Sequence, residues 1–330
     1  MLGRLSSSAT LPSPLRPVAD PTLARAGVTL RLKRDDLIHP EVPGNKWRKL
    51  LPNLRAAHAA GHHRLLTFGG AYSHHLTATA AAARAAGLAS VGLVRGDELA
   101  DRPRNPALAA AERDGMELVF VSRAEYRATL DALDAPATRR RLAERFGPFY
   151  LLPEGGSNAL AARGAAATVA ELAAQTTQTT QTTQTAPNGP DGPNGLDARD
   201  VVCCPVGSGG TLAGIAAALP PGARALGVAV LRGGRGYLES RVTALHRAGW
   251  SGATFPRWEI DHDHHGGGYG RIPPELAALT DRFERDHGIR LERRYVAKAL
   301  ACLHHRAERG DFPPGTRLTL VVTGPPSASD

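Results

Sequence analysis

Asp200-Val201-Val202-Cys203-Cys204-Pro205-Val206-Gly207-Ser208-Gly209-Gly210-Thr211-Leu212-Ala213-Gly214-Ile215 is the stretch on which the fold turns. The apolar run after Asp200 predicts a buried strand over 200–205, and a helix follows over 211–219. Between them a glycine-rich turn gathers backbone N–H groups at a helix N-terminus, where the helix dipole also favours an anion. Glycines leave that backbone open to close approach. The spacing is not GxGxxG, because Leu212 stands where the third glycine would be, and no lysine follows as in a P-loop. A dinucleotide or nucleoside triphosphate is thereby disfavoured, and a single phosphate group fits. The competing reading is an ordinary glycine-rich turn.

Working outward, helix and strand patterns alternate. Helices are predicted over 46–60, 73–86, 105–114, 159–174 and 296–309, and strands over 64–68, 90–94, 116–121, 223–231 and 317–322. Apolar strands separated by helices of this length indicate an α/β fold with a largely parallel sheet covered on both faces. Ligands in such folds collect at the carboxyl ends of strands. One segment breaks the alternation. Residues 175–185 repeat Gln-Thr-Thr and residues 186–195 are rich in Pro, Gly and Asn, so 175–195 is expected to be a disordered insertion with no apolar face to bury. Residues 325–330 should also be loose.

The chain has 330 residues, enough for about two domains, with 42% hydrophobic and 22% charged residues, which excludes wholesale disorder. No apolar run reaches 18 residues, so no membrane helix is expected. The first ten residues lack a signal peptide's apolar core, and a cytoplasmic location is expected. Three cysteines, Cys203, Cys204 and Cys302, form neither a CxxC pair nor an even set, which argues against disulfides or a cysteine-rich zinc site. The net charge of +9 raises the possibility of a nucleic-acid-binding module. The basic residues are scattered among acids, however, and the run Arg139 to Arg141 reads as a solvated helix face beside Glu144, so no nucleic-acid partner is expected. His262, His264 and His265 lie in a predicted loop at spacings poorly suited to one ion, and they read as a polar loop with no metal.

Lysine usage is more informative. Of 40 basic residues only Lys33, Lys46, Lys49 and Lys298 are lysines. Where arginine serves as the ordinary cation, a surviving lysine marks a position where an amine is needed, since only lysine forms a Schiff base. In Gly44-Asn45-Lys46-Trp47-Arg48-Lys49, Lys46 opens a helix, where the positive helix end and neighbouring cations favour its neutral form. A nucleophilic lysine and a phosphate cradle in one chain point to pyridoxal 5'-phosphate.

At this level of detail a resemblance emerges. It rests on Lys33-Arg34-Asp35-Asp36-Leu37, Gly44 to Leu50, Phe68-Gly69-Gly70-Ala71-Tyr72-Ser73-His74-His75, Leu152 to Asn158, Gly207 to Thr211, Gly267-Gly268-Tyr269-Gly270 and Thr323-Gly324. In this order they resemble the D-cysteine desulfhydrase and 1-aminocyclopropane-1-carboxylate deaminase family, one of the tryptophan-synthase-β-like, fold type II pyridoxal-phosphate enzymes. The similarity spans about residues 11–324 apart from the insertion. It implies two open, largely parallel twisted sheets flanked by helices, with the cofactor cleft between a large domain (1–49 and 151–330) and a small one (50–150). The implied activity is that of a lyase or deaminase acting on a small amino acid, with D-cysteine desulfhydrase-like β-elimination to pyruvate and ammonia. The alternatives are 1-aminocyclopropane-1-carboxylate deamination and a diverged cofactor-binding protein with little turnover. A homodimer is the family default.

The resemblance also implies roles. Lys46 carries the cofactor and shuttles the Cα proton, and Asn45 orients the cofactor. Ser73 binds the substrate carboxylate or assists proton transfer, with a plain N-cap as its structural alternative. His74 meets the cofactor ring hydroxyl, and His74 and His75 border the substrate. Gly207, Ser208, Gly209, Gly210 and Thr211 hold the phosphate, Tyr269 faces the substrate, and Thr323 approaches the pyridine nitrogen. Three departures stand out: His74 replaces the family's usual asparagine; Leu291-Glu292-Arg293-Arg294-Tyr295-Val296-Ala297-Lys298 replaces Leu-Asp-Pro-Val-Tyr-Thr-Gly-Lys; and Val322-Thr323-Gly324-Pro325 replaces His-Thr-Gly-Gly. Gly270 and Thr323 lean away from the cyclopropane substrate.

Overall fold

A computed structural model describes residue 5 and residues 7–183, 195–255 and 257–326. Among the described residues, ten strands form two sheets. β1 (Leu15–Val18), β2 (Thr29–Lys33), β7 (Asp200–Val206), β8 (Arg224–Ala229), β9 (Trp258–Asp261) and β10 (Arg317–Val321) make one, in the order β1-β2-β10-β7-β8-β9. β3 (Arg64–Gly69), β4 (Ala89–Arg95), β5 (Met116–Val121) and β6 (Tyr150–Leu151) make the other, in the order β5-β4-β3-β6. Only the β1–β2 pair is antiparallel. The α/β class with two mostly parallel sheets is therefore as the sequence predicts.

The reason is legible residue by residue. Every residue of β7 is buried, as a central parallel strand covered on both faces requires. The helix Gly210–Ala218 that follows is buried from Gly210 through Ile215 and Ala216, apolar all round because it lies under the helices Ala159–Thr183 and Tyr237–Gly249. In the second sheet, β3, β4 and β5 pair in register with their buried Leu, Val and Phe side chains between the helices Asn45–Ala59, His74–Ala86 and Pro106–Arg113 on one side and Arg123–Asp131 and Pro136–Phe146 on the other. The alternation missed β1, β6 and β9, which lie at sheet edges, and also β2, whose Thr29-Leu30-Arg31-Leu32-Lys33 mixes charged with apolar residues.

The insertion needs correction. The helix beginning at Ala159 runs on through Thr183, so the Gln-Thr repeat is helical at its start. Tertiary hydrogen bonds favour that extension: Lys33 Nζ donates to Gln175 Oε1 at 2.8 Å, Gln175 Nε2 donates to the Ser13 carbonyl at 2.9 Å, and Arg31 donates to the buried Thr176 hydroxyl at 3.1 Å. Composition saw no apolar face here, but polar partners supplied by other segments do the work. Residues 184–194 lie outside the described residues, as do 327–330 at the expected loose end. Among the described residues, no helix is long and apolar enough to cross a membrane.

Candidate active site

The carboxyl ends of β3, β4, β7, β8 and β10 open on one cleft of about 590 Å³ lying between the two sheets. Asn45, Lys46, Ser73, His74, His75, Gly207 to Thr211, Tyr269 and Thr323 all line it, so the fold brings together every candidate residue taken from sequence.

Gly44 and Asn45 set the position of Lys46. Gly44 has φ +75°, and a Cβ there would come within 2.1 Å of the Thr323 carbonyl, so only glycine lets the helix start press against the end of β10. The Asn45 N–H donates to that same carbonyl at 3.0 Å, and Asn45 Nδ2 donates to Thr211 Oγ1 at 2.8 Å. These contacts join the lysine helix, the last strand and the glycine turn at one point.

From behind, Arg48 fastens the same helix. It grips Asp35 with Nε and Nη2 at 2.9 Å each and Glu171 with both Nη atoms at 2.8 Å, and Lys33 adds a 2.8 Å bond to Glu171. These two cations hold the Glu171 carboxyl down to about 2 although its partial burial opposes ionisation.

The four lysines now separate. Lys33, Lys49 and Lys298 are buried, and each amine donates to fixed acceptors: Lys33 to Ser13 O, Lys49 to Gly155 O and Ser157 Oγ, Lys298 to Gly268 O. Lys46 is half-buried and faces the cleft, and its amine has only a long 3.5 Å contact with Asn45 Oδ1. Desolvation brings its pKa down to about 8.

The glycine turn forms a cationic cradle. Gly209 caps the helix Gly210–Ala218 with φ +80°. A Cβ on Gly210 would meet Ser157 Oγ at 2.6 Å and Lys49 Nζ at 3.1 Å. Burial, then the charges of Lys46 and Arg241, push the Lys49 amine well below its ordinary value, and its acceptors, Gly155 O and Ser157 Oγ, are not carboxylates. Arg241 also lines the cleft, and its buried Nε lacks a hydrogen-bond partner. Two cations beside backbone donors, with no carboxylate bonded to Lys49, suit a dianionic phosphate. With an unengaged amine next to it, the site fits pyridoxal phosphate.

On the opposite wall, Ser73 Oγ accepts the Leu76 N–H at 3.3 Å and caps the helix His74–Ala86 while still lining the cleft, so its cap and site readings coexist. His74 lines the cleft 6.0 Å from the Tyr295 ring. His75 lines the same cleft from within the wall. It is 3% exposed, with its ring nitrogens on Thr67 Oγ1 (2.7 Å) and Thr79 Oγ1 (3.3 Å), so both polar atoms are spent on packing the wall. The Tyr269 ring stands edge-on to Tyr295 at 5.9 Å, and its hydroxyl donates to the Tyr72 carbonyl at 3.3 Å.

Ser157, Arg241 and Tyr295 line or support the site without having been given a role in the sequence, whereas Lys49 was marked there only as one of the four scarce lysines. Lys49 lies three residues after Lys46, on a neighbouring helical face, and that spacing was the available signal. Tyr295 lies in a stretch noted only for its departures. There Glu292 accepts the N–H groups of Arg294 and Tyr295 at 2.7 Å each and of Val296 at 3.3 Å, so the glutamate caps the helix Val296–Glu308. Arg241 carried no local signal.

A parallel two-sheet fold, a cationic anion cradle and a cleft-facing lysine together define a fold type II pyridoxal-phosphate enzyme. The family model described as pyridoxal-phosphate dependent enzyme matches residues 7–324, and the chain belongs to that family. A provisionally named 1-aminocyclopropane-1-carboxylate deaminase of Thermotoga maritima is 31% identical over 281 residues, covering 83% of this chain and 82% of that protein. A D-cysteine desulfhydrase of Klebsiella pneumoniae is 30% identical over 319 residues, covering 90% and 87%. The crystal structure of an ACC deaminase homologue superposes with a TM-score of 0.75 at 24% identity, covering 98% of this chain and 94% of that one, which shows the shared fold.

Proposed function

We propose that this enzyme is a lyase that deaminates a small amino acid by β-elimination, in the manner of D-cysteine desulfhydrase, releasing pyruvate and ammonia. The observation that carries the reading is the Lys46 amine, open to the cleft without a charged partner, beside a cradle in need of a dianion. When bound, pyridoxal phosphate supplies the electron sink that acidifies the substrate Cα–H. Gly207 to Thr211, Lys49 and Arg241 hold its phosphate. Lys46 Nζ would hold the cofactor, and its amine, when neutral, would take the Cα proton of the substrate. Ser73 and the N–H groups of the helix it caps receive the substrate carboxylate. Tyr269, with Tyr295 beside it, would bear on the leaving group, and His74 and Thr323 would face the cofactor ring. Thr323 offers a neutral hydroxyl, which does not favour a protonated ring as an aspartate would.

The chain divides into a cofactor-binding domain of residues 1–49 and 151–330 and a small domain of residues 50–150, with β6 at the boundary. We further take the enzyme to be a cytoplasmic homodimer. Opening of 1-aminocyclopropane-1-carboxylate is the second reading, favoured by the name of the Thermotoga relative. The test incubates the loaded enzyme with D-cysteine, L-cysteine and 1-aminocyclopropane-1-carboxylate and follows 2-oxoacids, ammonia and sulfide. Pyruvate with sulfide from D-cysteine, abolished in Lys46→Ala, is the expected result. Turnover of the cyclopropane alone selects the second reading. No turnover of any of the three, or a Lys46→Ala variant as fast as the parent, overturns the mechanism.

A further inference from the structure

Away from the cleft, three side chains with metal-binding chemistry converge. Asp261 ends β9, His264 follows in the next turn, and Cys302 projects from the helix Val296–Glu308; one potential ligand atom of each lies within 4.8 Å of the other two. Cys302 is fully buried and its two neighbours are half-buried. Asp261 Oδ1 accepts the N–H groups of Asp263 at 3.0 Å and His264 at 3.1 Å, which folds the turn so that His264 Nδ1 comes back to 2.7 Å from the same oxygen. The other ring nitrogen, Nε2, lies 2.8 Å from His305 Nδ1, and His305 sits one helical turn beyond Cys302.

We propose that Asp261, His264 and Cys302 form a binding site for a thiophilic divalent cation, zinc above all, with His305 as the residue that orients His264. Thiolate, imidazole and carboxylate are zinc's preferred donors, and three protein ligands leave the fourth tetrahedral position to water. A thiolate and a carboxylate together cancel the charge of the ion. Zinc bonds of about 2.0–2.3 Å set tetrahedral ligand atoms roughly 3.3–3.8 Å apart. The observed separations, from 2.7 Å up to a limit of 4.8 Å, bracket that range.

Protons balance simply. Ligation through Nδ1 leaves the His264 proton on Nε2, where it donates to His305 Nδ1, the outer hydrogen bond that metal-bound histidines usually make. The thiol proton of Cys302 passes to solvent as the ion binds. Without an ion, burial and the Asp261 carboxylate push that thiol up and keep it protonated. Arg306, whose charge opposes that rise, is paired with Glu259 at 2.8 Å and Asp311 at 3.4 Å.

The two other histidines of this loop stand apart: His262 Nε2 meets Glu239 at 2.6 Å, and His265 Nδ1 accepts the Gly267 N–H at 3.0 Å. The adjacent spacing that argued against a metal in the sequence concerned these three histidines alone, whereas the group in the fold joins one of them to a cysteine from a distant helix. A bound ion would tie the loop leading to Tyr269 to the helix that starts after Tyr295, and so brace the two cleft tyrosines.

The experiment titrates the intact, loaded enzyme, first stripped of metal by chelator, with zinc in competition with a chromophoric chelator and with cadmium to read the thiolate charge-transfer band. One ion per chain and a cadmium–thiolate band are expected. Cys302→Ser and His264→Gln should each lose the high-affinity site, and Cys203→Ser should retain it. His305→Ala, at an exposed position, should weaken binding by about 10- to 100-fold while keeping the stoichiometry. Should Cys302→Ser fail to fold, His264→Gln and His305→Ala decide the matter. Absence of a stoichiometric site in the parent, or a site unaffected by His264→Gln, overturns the proposal.

Discussion

Replacing Glu171 by Gln tests whether the ion network behind the cleft holds the Lys46 helix. The wild-type carboxyl titrates at about 2 rather than 4.5. At about 1.36 kcal/mol per tenfold, that difference is worth about 3 kcal/mol at neutral pH. Glu171→Gln also leaves Lys33 without its carboxylate and Arg48 with Asp35 alone, and breaking a buried pair costs about 3–5 kcal/mol. The two routes agree, so a loss near 3 kcal/mol is expected. Because the folded-state value is depressed, the stabilisation is fully present above 4.5 and is lost as pH falls towards 2. By pH 3 the carboxyl's contribution should have dropped to about 1.4 kcal/mol. Urea unfolding of both proteins, followed by circular dichroism between pH 7 and pH 3, reads this out. A gap below about 1 kcal/mol at pH 7, or one that stays constant down to pH 3, refutes the argument.

Other outcomes follow from the cleft itself. With Lys46 at about 8, some one-tenth of its amines are neutral at pH 7, so the rate at which stripped enzyme captures pyridoxal phosphate should rise about tenfold per pH unit and level off above 8; stopped-flow absorbance that keeps climbing to pH 10 would contradict it. Gly44→Ala forces a Cβ to within 2.1 Å of the Thr323 carbonyl at a positive φ, and should cost about 2 kcal/mol or more in thermal unfolding and impair cofactor retention. Lys49→Gln removes a buried cation from the cradle and should weaken cofactor binding at least about tenfold by equilibrium dialysis, in keeping with about 1.5–3 kcal/mol for a hydrogen bond to a charged group.

Much was decided by local chemistry that a linear reading can follow. The apolar run of β7 and the glycine turn after it specify a strand, an anion-binding turn and a helix wherever they fold, because burial period and helix dipole act over a few residues. The scarcity of lysine and its place in Gly44-Asn45-Lys46 likewise picked out the amine that the fold leaves open to the cleft. What the tertiary structure alone decided depends on partners far apart in sequence. Thr323 meets Asn45 across a sequence separation of 278 because β10 lies beside β2 and β7, and Arg241 and Tyr295 reach the cleft only because their helices pack where they do. The Gln-Thr segment becomes helical at its start because Lys33, Arg31 and Ser13 supply hydrogen bonds that its own composition lacks. His75, two residues after Ser73, lines the cleft yet has both ring nitrogens occupied because Thr67 and Thr79 lie against it. Side-chain identity was visible from the start; which groups remain unsatisfied, and therefore available for chemistry, is a property of packing.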